Sequence, residues 1–154
     1  MNRMVLYRGK RVDNGCWISG SLTKYTNIYA DGEREDYYRI SVMDIGFGHL
    51  RIDKDDIETY EPTYQQGYDE VVDYDTIGEY TNKDDIKGVW IFEGDIVTAT
   101  LLHNQMEIVG KVVYNPVNAQ FEIVTNKGTN LPMCRYGDIK VIGTIHDNPN
   151  LLTR

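Results

Sequence analysis

Apolar and polar residues alternate in short bursts along this chain, and turn-forming residues break the bursts about every ten positions, the spacing of an all-β fold. No window holds apolar residues at i, i+3, i+4 and i+7 for three helical turns, so long amphipathic helices are not expected. Met106–Tyr114 alternates cleanly, Asn115-Pro116-Val117-Asn118 reads as a turn, and Gln120–Thr125 reads as the antiparallel partner. Val89–Thr100 reads as strand, turn, strand around Glu93-Gly94-Asp95. Lys140–Ile145 reads as a last strand, stopped by Asp147-Asn148-Pro149. In the N-terminal half, Met4–Lys10 is followed by Val12–Thr23, whose Asp13-Asn14-Gly15 reads as a hairpin turn, with Gly20 expected at a bulge. Asn27–Ala30 and Tyr37–Val42 flank a second hairpin signal at Asp31-Gly32.

These elements predict a mainly β protein. Residues 1–62 are expected to form an N-terminal β subdomain, and 63–85 an acidic connecting segment with room for a short helix. Residues 86–154 are expected to form a C-terminal SH3-like small β-barrel, because closure hides strand edges that a flat sheet of this size would expose. Trp90, Ile96, Val112, Phe121 and Ile142 lie on successive alternating strands and are expected to share the barrel core.

The length of 154 residues is enough for a core without disulfide or metal staples. Hydrophobic residues make up 41% and charged residues 26%, ordinary values for a folded domain. No apolar run is long enough to cross a membrane, and the opening residues lack an apolar signal segment. A cytoplasmic protein is therefore expected.

Charge changes the picture most. The net charge is −8, and it is uneven. Residues 1–52 hold eight Lys/Arg and six Asp/Glu; residues 53–85 hold two and twelve; residues 86–154 hold six of each. The chain as a whole would repel phosphates, which makes nucleic acid an unfavoured partner. A local basic face from Arg8, Lys10, Arg11 and Lys24 is weaker than the alternative of scattered surface charge.

Glu93-Gly94-Asp95 could place two carboxylates on one strand face as acid and base, or as metal ligands. The structural reading is stronger: Gly94 supplies a backbone conformation closed to other residues, and the carboxylates accept backbone N–H bonds. Gly137-Asp138-Ile139 repeats the pattern, which suits a fold signal. The clusters Asp53/Asp55/Asp56 and Asp84/Asp85 lack the ligand spacing of a calcium loop and read as solvated surface. His49, His103 and His146 form no metal-binding pair. Cys16 and Cys134 are far apart; Cys16 reads as a small core or strand residue. No nucleophile elbow, phosphate loop or dinucleotide fingerprint occurs. No catalytic, cofactor or metal residue is assigned, and an enzyme is disfavoured. The 12 tyrosines, dense between Tyr25 and Tyr80, suit a protein interface, a base-stacking surface or cross-strand pairs on a sheet; the surrounding negative charge disfavours bases.

Three stretches together resemble the YopX family of phage and prophage proteins. They are Ile77–Thr81 with Trp90-Ile-Phe-Glu-Gly-Asp-Ile-Val97, the ending Ile142-Gly-Thr-Ile-His-Asp-Asn-Pro-Asn-Leu-Leu152, and the opening Tyr7–Gly15 with Trp17 and Gly20-Ser-Leu22. The chain departs from the family pattern at Asp73–Glu79 and Thr81–Lys83. The motif residues Trp90, Glu93, Gly94, Asp95, Gly143, Asn148 and Pro149 are structural on this reading. The resemblance implies a small, β-rich, phage-encoded protein and transfers no catalytic residues. The expected function is that of a non-enzymatic accessory protein in the bacterial host cytoplasm. It would bind a protein partner or itself. The alternatives are a nucleic-acid-associated small-barrel module and an acidic DNA mimic that occupies a host protein's basic groove.

Overall fold

Turn chemistry sets where the chain reverses in this computed structural model, which describes residues 5–42, 45–46, 50–52, 58–60, 63–64 and 68–153, with side chains at 5–41 and 69–153. Gly15 (φ +70°), Gly32 (φ +87°) and Gly94 (φ +83°) sit at reversals expected from the sequence. The protein is mainly β. The chain forms two compact units. One joins Met1–Arg8 to Asp75–Arg154, and the other is Gly9–Tyr74. The segment expected to be a connection contains strands of both.

In the Gly9–Tyr74 unit, β1 (Tyr7–Lys10) ends and is followed by β2 (Trp17–Ile28) and β3 (Arg34–Val42). The short pairs β4 (Ile45–Gly46) with β7 (Thr63–Tyr64), and β5 (Leu50–Ile52) with β6 (Glu58–Tyr60), precede β8 (Tyr68–Val72). β2 pairs antiparallel with β3 from Ser21↔Ser41 to Ile28↔Arg34, and β3 pairs with β8 from Tyr38↔Val72 to Val42↔Tyr68. A bridge Arg11↔Val72 brings the first strand's continuation back to β8. Gly20 has the close approach that excludes a side chain: a Cβ there would lie 2.1 Å from the Ser41 carbonyl oxygen. Ile40 and Val72 are buried.

In the other unit, Tyr74–Thr76 forms a single 3-10 turn, and β9 (Gly78–Asp84) pairs with Tyr7 and Arg8 of β1 and with β10 (Trp90–Phe92). Then follow β11 (Asp95–Leu101), β12 (Met106–Asn115), β13 (Gln120–Thr125), β14 (Asn130–Pro132) and β15 (Tyr136–Thr144), and a 3-10 segment Pro149–Thr153. The five-stranded sheet runs β14-β13-β12-β11-β15, all antiparallel neighbours. The last strand returns beside the first, as the barrel expectation required, but β14 and β15 do not pair among the described residues. The sheet is therefore open where closure was expected. β14 has only three residues and ends at Pro132, which has no N–H to donate, and a 3-10 turn, Met133–Arg135, follows at once.

The core of this unit is Ile91, Val97, Ala99, Leu101, Val112, Ile123, Met133, Tyr136 and Ile139, with Ile108, Phe121, Leu131 and Val141 against it. Val112 belongs as expected, and Phe121 packs on the edge. Ile96 is fully buried but lies outside this cluster, and Ile142 is half-buried. Trp90 is 42% exposed, which corrects its placement in the core. The reason is strand phase. Ile91 takes the inward position of β10, so Trp90 and Phe92 fall on its other face, with the Tyr80 ring 5.3 and 5.6 Å from theirs.

Candidate functional site

The Glu93-Gly94-Asp95 turn is built to hold strands together. Gly94 donates its N–H to the Val112 carbonyl at 2.9 Å and accepts from Ile145 N–H at 2.9 Å. Asp95 is fully buried; its Oδ2 accepts the Phe92 N–H at 2.8 Å and its Oδ1 lies 2.5 Å from Arg8 Nη2. Arg8 also reaches the Glu93 carbonyl at 3.4 Å and lies 4.9 Å over the Phe92 ring. The Glu93 carboxylate accepts the Tyr114 N–H at 3.1 Å. Burial pushes the Asp95 carboxyl up, against the pull of Arg8 and the Phe92 N–H. Each carboxylate is committed to the backbone or to Arg8. The two do not converge on a common point where a reacting atom could sit.

The second motif is a companion brace. A Cβ on Gly143 would lie 2.6 Å from Asn148 Oδ1, so only glycine lets the Asn148 side chain pack there. Asn148 N–H donates to Thr144 O at 2.8 Å, and its own carbonyl accepts Leu151 N–H at 3.0 Å. Pro149 opens the terminal 3-10 segment, where its missing N–H costs nothing. The sequence repeat at Gly137-Asp138 is not a structural repeat: Asp138 is exposed at φ +48°, whereas Asp95 is buried.

The far end of the β2–β3 hairpin is an organised, exposed surface. Every residue from Thr23 to Asp36 is exposed. β8 pairs only from Tyr38 onward, so Arg34–Tyr37 bonds to β2 alone. Cross-strand register puts Tyr25 opposite Tyr37 and Thr23 opposite Arg39, on one face. The two tyrosine rings stack at 5.2 Å and 13°, and the Arg39 guanidinium lies 5.7 and 5.6 Å over them. Further out, the Tyr29 hydroxyl donates to Glu35 at 2.5 Å, and that hydrogen bond leads the rise in the Tyr29 phenol's pKa. On the opposite face Lys24 pairs with Asp36 at 2.5 Å.

Each of the four cations weighed as a basic face is engaged. Arg8 is engaged by buried Asp95, Arg11 by Asp13 and by Glu70 at 3.0 Å, and Lys24 by Asp36; Lys10 lies 5.3 Å over Trp17.

A family model described as YopX protein matches residues 7–153. The chain belongs to the YopX family. All three stretches that carried the resemblance fall inside the match, including the Glu-Gly-Asp turn and the Gly143–Pro149 brace. No curated protein matches. Among solved structures this YopX chain is similar to protein EF1440 from Enterococcus faecalis, with 21% identity, a TM-score of 0.49, and coverage of 98% of this chain and 99% of that one.

Other sequence candidates resolve simply. Cys16 is exposed in the turn before β2, not in the core, and Cys134 is exposed too. Among the described residues no group of three or more His, Cys, Asp or Glu could hold a metal ion; His49 and Asp53/Asp55/Asp56 lie outside them. No helix among them is long and apolar enough to cross a membrane. Asp85 is not solvated surface: it is buried, and its carboxylate accepts N–H bonds from Lys87 (2.7 Å), Val89 (3.0 Å) and Val141 (3.2 Å). Sequence reading missed Glu122, buried on β13 with its oxygens held by the side-chain amides of Asn115, Gln120 and Asn130 at 2.9–3.0 Å. Its only trace in the sequence is an acid at the centre of a strand with amides nearby.

Proposed function

We propose that this YopX protein is a non-enzymatic, phage-encoded accessory protein that acts by binding protein, a second copy of itself or a partner, through the tyrosine face of the β2–β3 hairpin. The observation that carries the reading is the Tyr25–Tyr37 stack where the exposed Thr23–Asp36 ribbon begins, with Tyr25 exposed and Tyr37 half-buried. Stacked tyrosines offer large, rigid contact area at small loss of side-chain entropy. The charge order supports self-association. Arg39 stands at one end of the stripe and Glu35 at the other, so a two-fold axis through the tyrosines would set each Arg39 near the other copy's Glu35. The reading carries a host-cytoplasm location with it.

Nucleic acid is less favoured because Arg8, Arg11 and Lys24 already face carboxylates, which leaves little of their positive charge for phosphates. The test is size-exclusion with light scattering on the wild type and on Tyr25→Ser/Tyr37→Ser, beside a nuclease-treated pull-down from host lysate. Fluorescence anisotropy with duplex DNA would run in parallel. An oligomer or captured protein that persists from roughly 50 to 200 mM salt and is lost in the variant supports the reading, because dry contacts are little screened. Submicromolar DNA binding that persists at the higher salt rejects it.

A further inference from the structure

The unit that contains β9–β15 holds a cavity of about 650 Å³ at the end of its sheet, where the β11–β12 and β13–β14 turns meet the start of β15. That volume is in the range of small-molecule sites. Register defines its inner wall. Leu101 pairs with Met106 and with Tyr136, Ala99 with Ile108, and Gly110 with Thr125. Cross-strand partners share a face, and Leu101, Ala99 and Tyr136 are core residues. Met106, Ile108 and Thr125 therefore line the same side.

One polar group on this wall is buried with no partner among the described residues. The Thr125 hydroxyl oxygen is buried without a hydrogen bond. Tyr136, only 3% exposed as a whole residue, also lines the cavity. A buried hydroxyl left unpaired is costly, on the order of 1–3 kcal/mol, so the Thr125 group points to something that fills the site. Lys127, on the β13–β14 turn, also borders the cavity and makes no ion pair among the described residues.

We propose that this cavity binds a small organic acid with an apolar body. Leu101, Met106 and Ile108 receive the body, and Tyr136, Thr125 and Lys127 donate to the carboxylate. The chemistry of the head follows from the donors. Lysine has only donors, and a carboxylate has only acceptors. Burial raises the Tyr136 phenol above its ordinary range, which keeps its proton available to donate. Glu107 and Asp138 also border the cavity but are exposed, where water and salt weaken their repulsion.

The experiment is a titration of the full chain by two-dimensional NMR and calorimetry with sodium octanoate, 1-octanol and sodium acetate. Octanoate should shift the amides of β12, β13 and the start of β15 and bind more tightly than octanol, which has the body without the charge. Acetate, which has the charge without the body, should not bind. Lys127→Gln, on an exposed turn, and Tyr136→Phe should each weaken octanoate by about tenfold. Thr125→Val keeps the shape and should weaken it by less. Failure of octanoate to bind at millimolar concentration overturns the proposal, as does octanol binding equally well. Unchanged affinity in both Lys127→Gln and Tyr136→Phe also overturns it.

Discussion

Arg8 and Asp95 form a buried ion pair, Nη2 to Oδ1 at 2.5 Å, that ties the first strand to the Glu93-Gly94-Asp95 turn. The Asp95 side chain is fully buried and that of Arg8 is 12% exposed. Taking one partner away strands the other charge in a poorly solvated place. Asp95→Ala or Arg8→Met should each cost about 3–5 kcal/mol, read from urea unfolding. Replacing both with apolar residues of similar volume should cost much less than the sum of the two single changes. Additive single-site losses would show that the pair does not act as a unit.

At β10 the costly position is Ile91 and not Trp90, which the sequence placed in the core. Ile91 is fully buried and Trp90 is 42% exposed. Ile91→Ala should cost about 2–5 kcal/mol. Trp90→Ala should cost less than Ile91→Ala, although it removes a larger side chain. Thermal or chemical denaturation of the two variants decides the order.

Two glycines carry steric demands of different kinds. Gly94 holds φ +83°, where a side chain meets its own backbone, so Gly94→Ala should destabilise by about 1–2 kcal/mol. At Gly143 the demand is space, because a Cβ would meet Asn148 Oδ1 at 2.6 Å. Gly143→Ala should therefore loosen the terminal Pro149–Thr153 segment, and faster amide exchange from Asn148 to Thr153 would report it. Unchanged exchange there would contradict the bracing role.

Acid sensitivity should come from Asp85 and Glu122 and not from Asp95. Burial works to raise the Asp85 carboxyl, but N–H bonds from Val89, Lys87 and Val141 outweigh it and hold the group below its usual range. The Gln120 amide, against burial and with help from Asn115 and Asn130, holds Glu122 low as well. A lowered folded value gives stability that is present above the unfolded values of about 3.9 and 4.3 and is lost as pH falls through the folded ones. Asp95 has the opposite sign: its carboxyl is raised, so its ionised form opposes folding at neutral pH and the opposition fades on acidification. Asp85→Asn and Glu122→Gln should flatten the loss of stability toward low pH, and Asp95→Asn should steepen it. Urea midpoints across the acid range test all three.

The strands were legible because alternation and turn residues are local signals. Gln120–Thr125 is a strand with the expected bounds, and the reversals at Gly15, Gly32 and Gly94 stand where Asn, Asp and Gly cluster. Long-range facts were not legible. Nothing local tells whether Trp90 or Ile91 faces inward, because both are apolar and adjacent, and the choice is made by the strands that cover β10. Closure of the barrel failed on a length, the three residues of β14, that pattern alone does not set. Asp95 looked like one of two matching Gly-Asp signals, and only the partner Arg8, far away in sequence, distinguishes it from Asp138. The tyrosine-rich stretch was visible as composition. That Tyr25 and Tyr37 stack depends on a register that the Asp31-Gly32 turn sets.

Because Met1–Arg8 belongs with Asp75–Arg154, that unit cannot be finished in the order in which a ribosome delivers it. Arg8 emerges early and Asp95 much later, a wait of roughly 4–17 s at about 5–20 residues per second. Over most of that wait the first strand has no partner from β9, while the intervening Gly9–Tyr74 unit already has its whole sequence. A fragment that starts at Asp75 would reproduce the five-stranded sheet's sequence but leave Asp95 without its cation. Supplying the opening segment as a separate peptide should then restore stability to such a fragment.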